Sequence, residues 1–321
     1  MKSLFPRAFL RSAAIAAGLA VAGAAVAVDN VKMMIPANPG GGWDTTGREL
    51  GKAMLASGAV KNIQYDNKGG AAGAIGLAQF VAASKGDPNA LMMGGMVMVG
   101  GLIQNKSAVT LDQVTPIARL TSEYEVIVVP ASSPIKDMKD LMARFKANPG
   151  SISWGGGSAG GTDHILAGLL AKAVGVEPGK VNYVPFKGGG EAVAAIIGGH
   201  VSVGVSGLSE FAQHIQSGKM RALGVSSAAK IGNIASLKEQ GFDVELANWR
   251  GIFGAPGITK EQQAALVKAV ETATMHASWA ETLKKQDWTA YWLPGEQYGA
   301  FIKEENKRIG EILAGLSLGK K

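Results

Sequence analysis

Two glycine runs in this chain end in a hydroxyl and an acid. They are Gly40-Gly41-Gly42-Trp43-Asp44-Thr45 and Gly156-Gly157-Ser158-Ala159-Gly160-Gly161-Thr162-Asp163. Each follows a short apolar strand pattern and opens a helical one. About 30 residues after each comes a lysine-led run, Lys68-Gly69-Gly70 and Lys187-Gly188-Gly189, the separation of one βαβ unit. Helix starts carry free N–H groups and the positive end of the helix dipole, and glycine leaves those groups uncovered. Four such starts brought together would clamp an anion with few charged side chains. A small carboxylate or a phosphate fits that chemistry. The Ser158 and Thr162 hydroxyls add donors. Asp44 and Asp163 read as helix caps, because each would repel an anionic ligand. Lys68 and Lys187 either neutralise ligand charge or sit solvated at the rim.

One rival chemistry is visible. Gly156-Gly157-Ser158-Ala159-Gly160 fits the G-x-S-x-G elbow of α/β-hydrolases, between a strand and a helix. A secreted esterase using Ser158 is therefore the alternative. The match falls in a glycine-dense run where it arises cheaply, and no later histidine sits on a loop behind an acid as that triad requires. There is no P-loop, and Gly70-Ala71-Ala72-Gly73 lacks the dinucleotide spacing. Four scattered histidines and no cysteine give no metal-ligand cluster, and no cofactor is expected.

The elements that must position these loops alternate in the α/β manner. Val31–Ile35, Ile63–Tyr65, Ala90–Met93 and Val126–Val129 read as strands. Helices are expected over 44–57, 73–84 and 135–147, and from a capping box at Thr259 to about Lys285. A last helix follows Pro294-Gly295 with an apolar stripe at three-four spacing from Tyr298 to Leu316. Met92, Met93, Met96 and Met98 read as core filler. Trp43 reads as a wall of the anion site, with Trp154 at a strand end beside it, or each as a packing residue.

The chain has 321 residues with 45 glycines, about twice the ordinary share of roughly 7%. Its charge of +7 includes Lys2, Arg7 and Arg11; without them 29 basic residues face 25 acidic ones, too even a balance for a nucleic-acid surface. Those three charges, the Ala/Gly/Leu/Val run from Ser12 to Val26 and the Ala25-Val26-Ala27 ending read as an export signal over residues 1–27, cleaved after Ala27. The run is shorter than the roughly 20 strongly apolar residues of a membrane span. The mature chain is expected to be a periplasmic monomer.

Taken in order, several segments resemble the extracytoplasmic receptors of tripartite tricarboxylate transporters, the Bug family. They are Pro36–Asp44 with Arg48, Asn67–Gly76, Gly157–His164, Val184–Gly190 and Asn248–Gly257. The Gly-Gly-Gly-Trp-Asp loop and Phe186 are similar to the branch associated with tricarboxylates such as citrate. The resemblance implies a two-domain Venus-flytrap of the type II periplasmic binding fold. Its first domain would be 28–124 plus 250–321 and its second 125–249. It also implies a small carboxylate held by Gly40, Gly41, Gly42, Trp43, Asp44, Thr45, Lys68, Gly69 and Gly70 from one side. Ser158, Gly160, Gly161, Thr162, Asp163, Lys187, Gly188 and Gly189 would close from the other. Arg250, on the returning hinge, would either meet an extra ligand carboxylate or pair with an acid at the core edge. Transporter membrane subunits would be the partner, and no reaction would be catalysed.

Overall fold

The computed structural model describes residues 28–187 and 189–316. The expected leader over 1–27 and Gly188 lie outside the described residues. In the first half of the chain β1 (Asn30–Ile35) pairs in parallel with β2 (Asn62–Asn67) and β3 (Ala90–Gly95). Helices α1 (Gly42–Ala56), α2 (Ala74–Ala83) and α3 (Met96–Gln104) follow the three strands in turn. Every residue of β3 is buried, as a strand covered on both faces must be, which is why it reads as an unbroken apolar run. Met92, Met93, Met96 and Met98 are all in the core, as expected.

Strand β4 (Thr115–Pro130) joins the two lobes. Up to Tyr124 it pairs antiparallel with β9 (Ala247–Gly254), and from Glu125 it pairs antiparallel with β7 (Val203–Gly207). Its outer partners are β10 (Thr289–Pro294) on the first half and β8 (Met220–Val225) on the second. Ile127 and Val129 enter the main core while Val126 and Val128 enter a smaller one with Ile196, Leu208 and Phe211. That alternation is the period of two of a strand covered on both faces. Ser226 ties the two crossings together: its Oγ accepts from the Glu125 amide at 2.9 Å and donates to the Leu246 carbonyl at 2.6 Å.

The second lobe repeats the first lobe's plan. Strand β5 (Ser153–Gly156) pairs in parallel with β6 (Asn182–Pro185) and β7, and α5 (Thr162–Ala173), α6 (Gly189–Ile197) and α7 (Leu208–Gln216) follow them. Helix α4 (Met138–Ala147) precedes β5 and is capped by Asp137, which accepts from the Asp140 amide.

Two expectations need correction. The single helix expected after Thr259 is two, α8 (Lys260–Thr274) and α9 (Ala277–Gln286). His276 caps α9 by accepting from the Ser278 amide, a break that the continuing apolar period conceals. Trp154 is wholly buried, edge-on to Phe145, so of its two readings packing holds and ligand contact does not. The closing α10 (Gly295–Gly315) buries Tyr298, Ile302, Ile309 and Leu313. Among the described residues no helix is long and apolar enough to cross a membrane.

Candidate functional site

Helices α1, α2 and α3 of one lobe and α5, α6 and α7 of the other begin at a common cavity of about 90 Å³. Its first-lobe wall is Pro36, Ala37, Gly41, Gly42, Trp43, Gly70, Ala72, Gly73 and Val97. Gly157, Ser158, Asp163, Phe186, Lys187, Gly189 and Ala192 face them, with Ser206, Gly207 and Glu210 from the start of α7. Asn248 and Arg250 form the floor on β9. Backbone strain is concentrated here, since Gly70, Ala71, Ala72 and Gly73 all have positive φ and two of them are alanines.

The lobes touch across the cleft. Asn38 Nδ2 donates to Glu191 Oε1 at 3.3 Å. A Cβ added to Gly41 would lie 3.4 Å from the Gly189 nitrogen, and one added to Gly100 would overlap the Gly160 carbonyl.

Of the residues expected from the sequence, Gly41, Gly42, Trp43, Gly70, Ser158, Asp163, Lys187, Gly189 and Arg250 line the cavity. Gly40, Asp44, Thr45, Lys68, Gly69, Gly160, Gly161 and Thr162 are not among its lining residues. Neither acid caps its helix with its side chain; the N-caps are Gly41 and Gly161. Instead each carboxylate turns back onto its own loop. Asp44 accepts from the Gly40 amide at 3.1 Å, and Asp163 accepts from the Gly157 amide at 2.5 Å. Those amides are used internally, and Asp44 is further tied to Arg48 and Asn67. Lys68 is exposed, as is Lys187 at the cavity's edge.

Arg250 is paired in the way that its second reading supposed. Its guanidinium forms an ion pair with Glu123, their side chains being 3% and 2% exposed. Its Nη1 also donates to Thr46 Oγ1 at 3.1 Å. Glu123 accepts in addition from Trp288 Nε1 at 2.8 Å and Ser209 Oγ at 2.9 Å. Burial alone lowers the Arg250 pKa to about 9.

Sequence reasoning named Asp163 but missed Glu125 and Glu210. Glu125 is wholly buried, and burial followed by the charge of Asp163 pushes it well above the ordinary carboxylate range. Burial lifts Asp163 to about 6, against the lowering effect of the Gly157 amide. Burial and the Asp163 charge lift Glu210 to about 7, partly offset by Ser206 and the Gly42 amide. His164 is held neutral by burial, down to about 4; it stacks on Tyr183 with centroids 4.3 Å apart and accepts from the Gly160 amide. Among the described residues Asn248 Oδ1 has no hydrogen-bond partner.

A raised carboxyl stabilises the native state most below its ordinary value, and that contribution fades as pH climbs through the native one. His164 works in the opposite sense, but only below its ordinary 6.5. Above about pH 6.5 the acids alone remain. The ligand-free protein is therefore expected to melt at falling temperature from about pH 6.5 to about 8, with Glu210→Gln flattening the slope. Thermal scans across that range check this, and a wild-type melting temperature that rises would contradict it.

Among the described residues no hydrogen bond joins Ser158 Oγ to a histidine, and the nearby His164 spends its Nδ1 on Gly160. Comparison with known proteins agrees with a receptor. The "Tripartite tricarboxylate transporter family receptor" profile matches residues 53–318. A Cupriavidus necator protein described as "UPF0065 protein in gbd 5'region" is 28% identical, over 98% of this chain and 97% of its own. The structure of the periplasmic binding protein BugD superposes with a TM-score of 0.79 at 22% identity, covering 90% of this chain and 98% of that one. MatC from Rhodopseudomonas palustris with bound malate gives 0.79 at 22% identity, over 89% and 99%. These likenesses establish a two-lobed periplasmic-binding fold, and with the profile match over most of its length the chain belongs to the tripartite tricarboxylate transporter receptor family.

Proposed function

We propose that this protein is a periplasmic receptor that closes on a small carboxylate, citrate-like in kind, and delivers it to the membrane subunits of a tripartite transporter. The observation that carries the reading is the convergence of helix starts from both lobes on one cavity. The positive dipole ends of those helices favour an anion, Lys187 supplies a cation at the edge, and Ser158 adds a hydroxyl. Asn248 Oδ1 awaits a donor, which a hydroxyl-bearing acid provides. The moving bodies are 28–124 plus 250–321 and 125–249, with the hinge where β4 changes partners between Tyr124 and Glu125 and where β9 begins. The leader is removed after Ala27, and the mature protein acts as a monomer without catalysing a reaction.

Thermal unfolding of the purified protein with citrate, malate and succinate, beside an ester-hydrolysis assay, tests this. An acid at 100 times its dissociation constant stabilises by about 2.7 kcal/mol, a shift of several degrees. A shift for one or two acids with no ester turnover is expected. No shift, with turnover abolished by Ser158→Ala, would establish the hydrolase instead.

A further inference from the structure

The best anion seat in the cleft already holds a carboxyl of the protein. Glu210, on the first turn of α7, reaches between the starts of α1 and α6. A Cβ added to Gly42 would stand 2.7 Å from its Oε1, and one added to Gly189 would overlap its Oε2. Glycine is required at both positions for this close approach. Ser206 of β7 and the Gly42 amide lie near enough to the Glu210 carboxyl to lower its pKa, and Arg250 Nη2 lies 3.8 Å from Oε1. The side chain is 14% exposed and borders the cavity.

We propose that Glu210 is a tethered carboxyl that shares this seat, so that a ligand carboxylate enters beside it only together with a proton on Glu210. The inference rests on the carboxylate-receptor reading above and makes capture proton-coupled.

From α5 Asp163 faces Glu210, and from β4 Glu125 and Glu123 lie behind it. Arg250 of β9 gives its shortest contact to Glu123, so its charge is largely spent before it reaches Glu210. Lys187 borders the same cavity, but its backbone is tied to Glu191 of α6, whose other oxygen holds Asn38. On α1, Asp44 and Arg48 neutralise each other. An anionic ligand thus enters a pocket already bordered by Asp163 and Glu210, with Lys187 exposed at its edge. Like charges at contact distance favour the state in which one is protonated, as in a paired-carboxylate dyad. A protonated Glu210 turns from a competitor into a donor for the incoming carboxylate. Buried without water, a proton is the cheapest counter-charge available.

Malate stays fully ionised above about pH 6 and serves as the probe. In calorimetry, wild-type affinity for malate is expected to fall about tenfold per pH unit above neutrality, with about one proton taken up per malate bound at pH 8. Glu210→Gln carries a neutral donor at the same place. It is expected to bind malate at pH 8 about as tightly as wild type does at pH 6, without proton uptake. Wild-type affinity that is flat with pH, together with a tenfold or greater loss in Glu210→Gln at every pH, would overturn the proposal and make Glu210 an acceptor for a ligand donor. The Glu210 carboxyl carbon, assigned by its loss in Glu210→Gln, supplies a ligand-free readout by NMR. Titration near neutrality supports the proposal, and titration in the ordinary carboxylate range overturns it. Failure of every acid to bind wild type would sink the receptor reading alone, leaving the NMR titration to decide the role of Glu210.

Discussion

Arg250→Met is expected to lower the melting temperature by about 10 °C, the largest stability effect of any single change at the cleft. The substitution leaves Glu123 buried with only Trp288 Nε1 and Ser209 Oγ as donors. Breaking one side of a buried ion pair costs about 3–5 kcal/mol, because the surviving charge has no counter-charge and no water. At about 2–4 °C per kcal/mol for a chain of this size, a loss on the order of 10 °C follows. Loss of the guanidinium stack 5.2 Å from the Trp288 ring adds to it. The double variant Arg250→Met with Glu123→Gln removes the orphaned charge and keeps acceptors for Trp288 and Ser209. It should recover more than half of the loss. If Arg250→Met melts within about 2 °C of wild type but no longer binds a carboxylate, the guanidinium serves the ligand and not the hinge.

Gly100→Ala is expected to weaken carboxylate binding by about tenfold or more while leaving the ligand-free melting temperature unchanged or slightly raised. Gly100 lies within α3, where alanine is preferred to glycine by about 1 kcal/mol. With the lobes as the structure has them, however, its new Cβ would overlap the Gly160 carbonyl of the opposite lobe. The change therefore favours the open form and penalises the closed one, and affinity for a ligand that requires closure falls in proportion. Small-angle scattering with saturating ligand checks the cause. The variant should keep a larger radius of gyration than liganded wild type; equal compactness with undiminished affinity would contradict a closing contact at this position.

The glycine loops and the strands before them were legible because their signals are local. Runs such as Pro39–Gly42 and Gly155–Gly157 leave little else for the backbone to be, and the repeated Lys-Gly-Gly marks the second junction of each lobe. The long central strand was half legible. Val126–Val129 is β-branched and apolar, whereas Thr115–Tyr124 contains Pro116, Arg119, Ser122 and Glu123 and gives no continuous apolar run. Pairing with β9 and β10 buries that stretch, and Arg119 finds its place stacked over Tyr291 and Phe301, 3.4 and 4.2 Å from their centroids.

Two acids of the site, Glu125 and Glu210, were not legible at all. Glu210 looks like any acidic residue in a first helical turn, a position favoured by the dipole. Only the approach of α7 to α1 and α6 shows that its carboxyl lies in the cleft. Asp44 and Asp163 were read as caps from their type and position. Their turn back onto Gly40 and Gly157 depends on how each loop folds over its helix start, which no spacing rule conveys.

The central claim is that a carboxylate sits between the lobes at the converging helix starts. A crystal structure of the protein with whichever acid shifts its melting tests this most directly. The account predicts ligand oxygens about 3 Å from protein donors of both lobes, among them Ser158 and the Gly41–Gly42 backbone, with Glu210 at its edge. A ligand held by one lobe alone, or lodged outside this cavity, would contradict it.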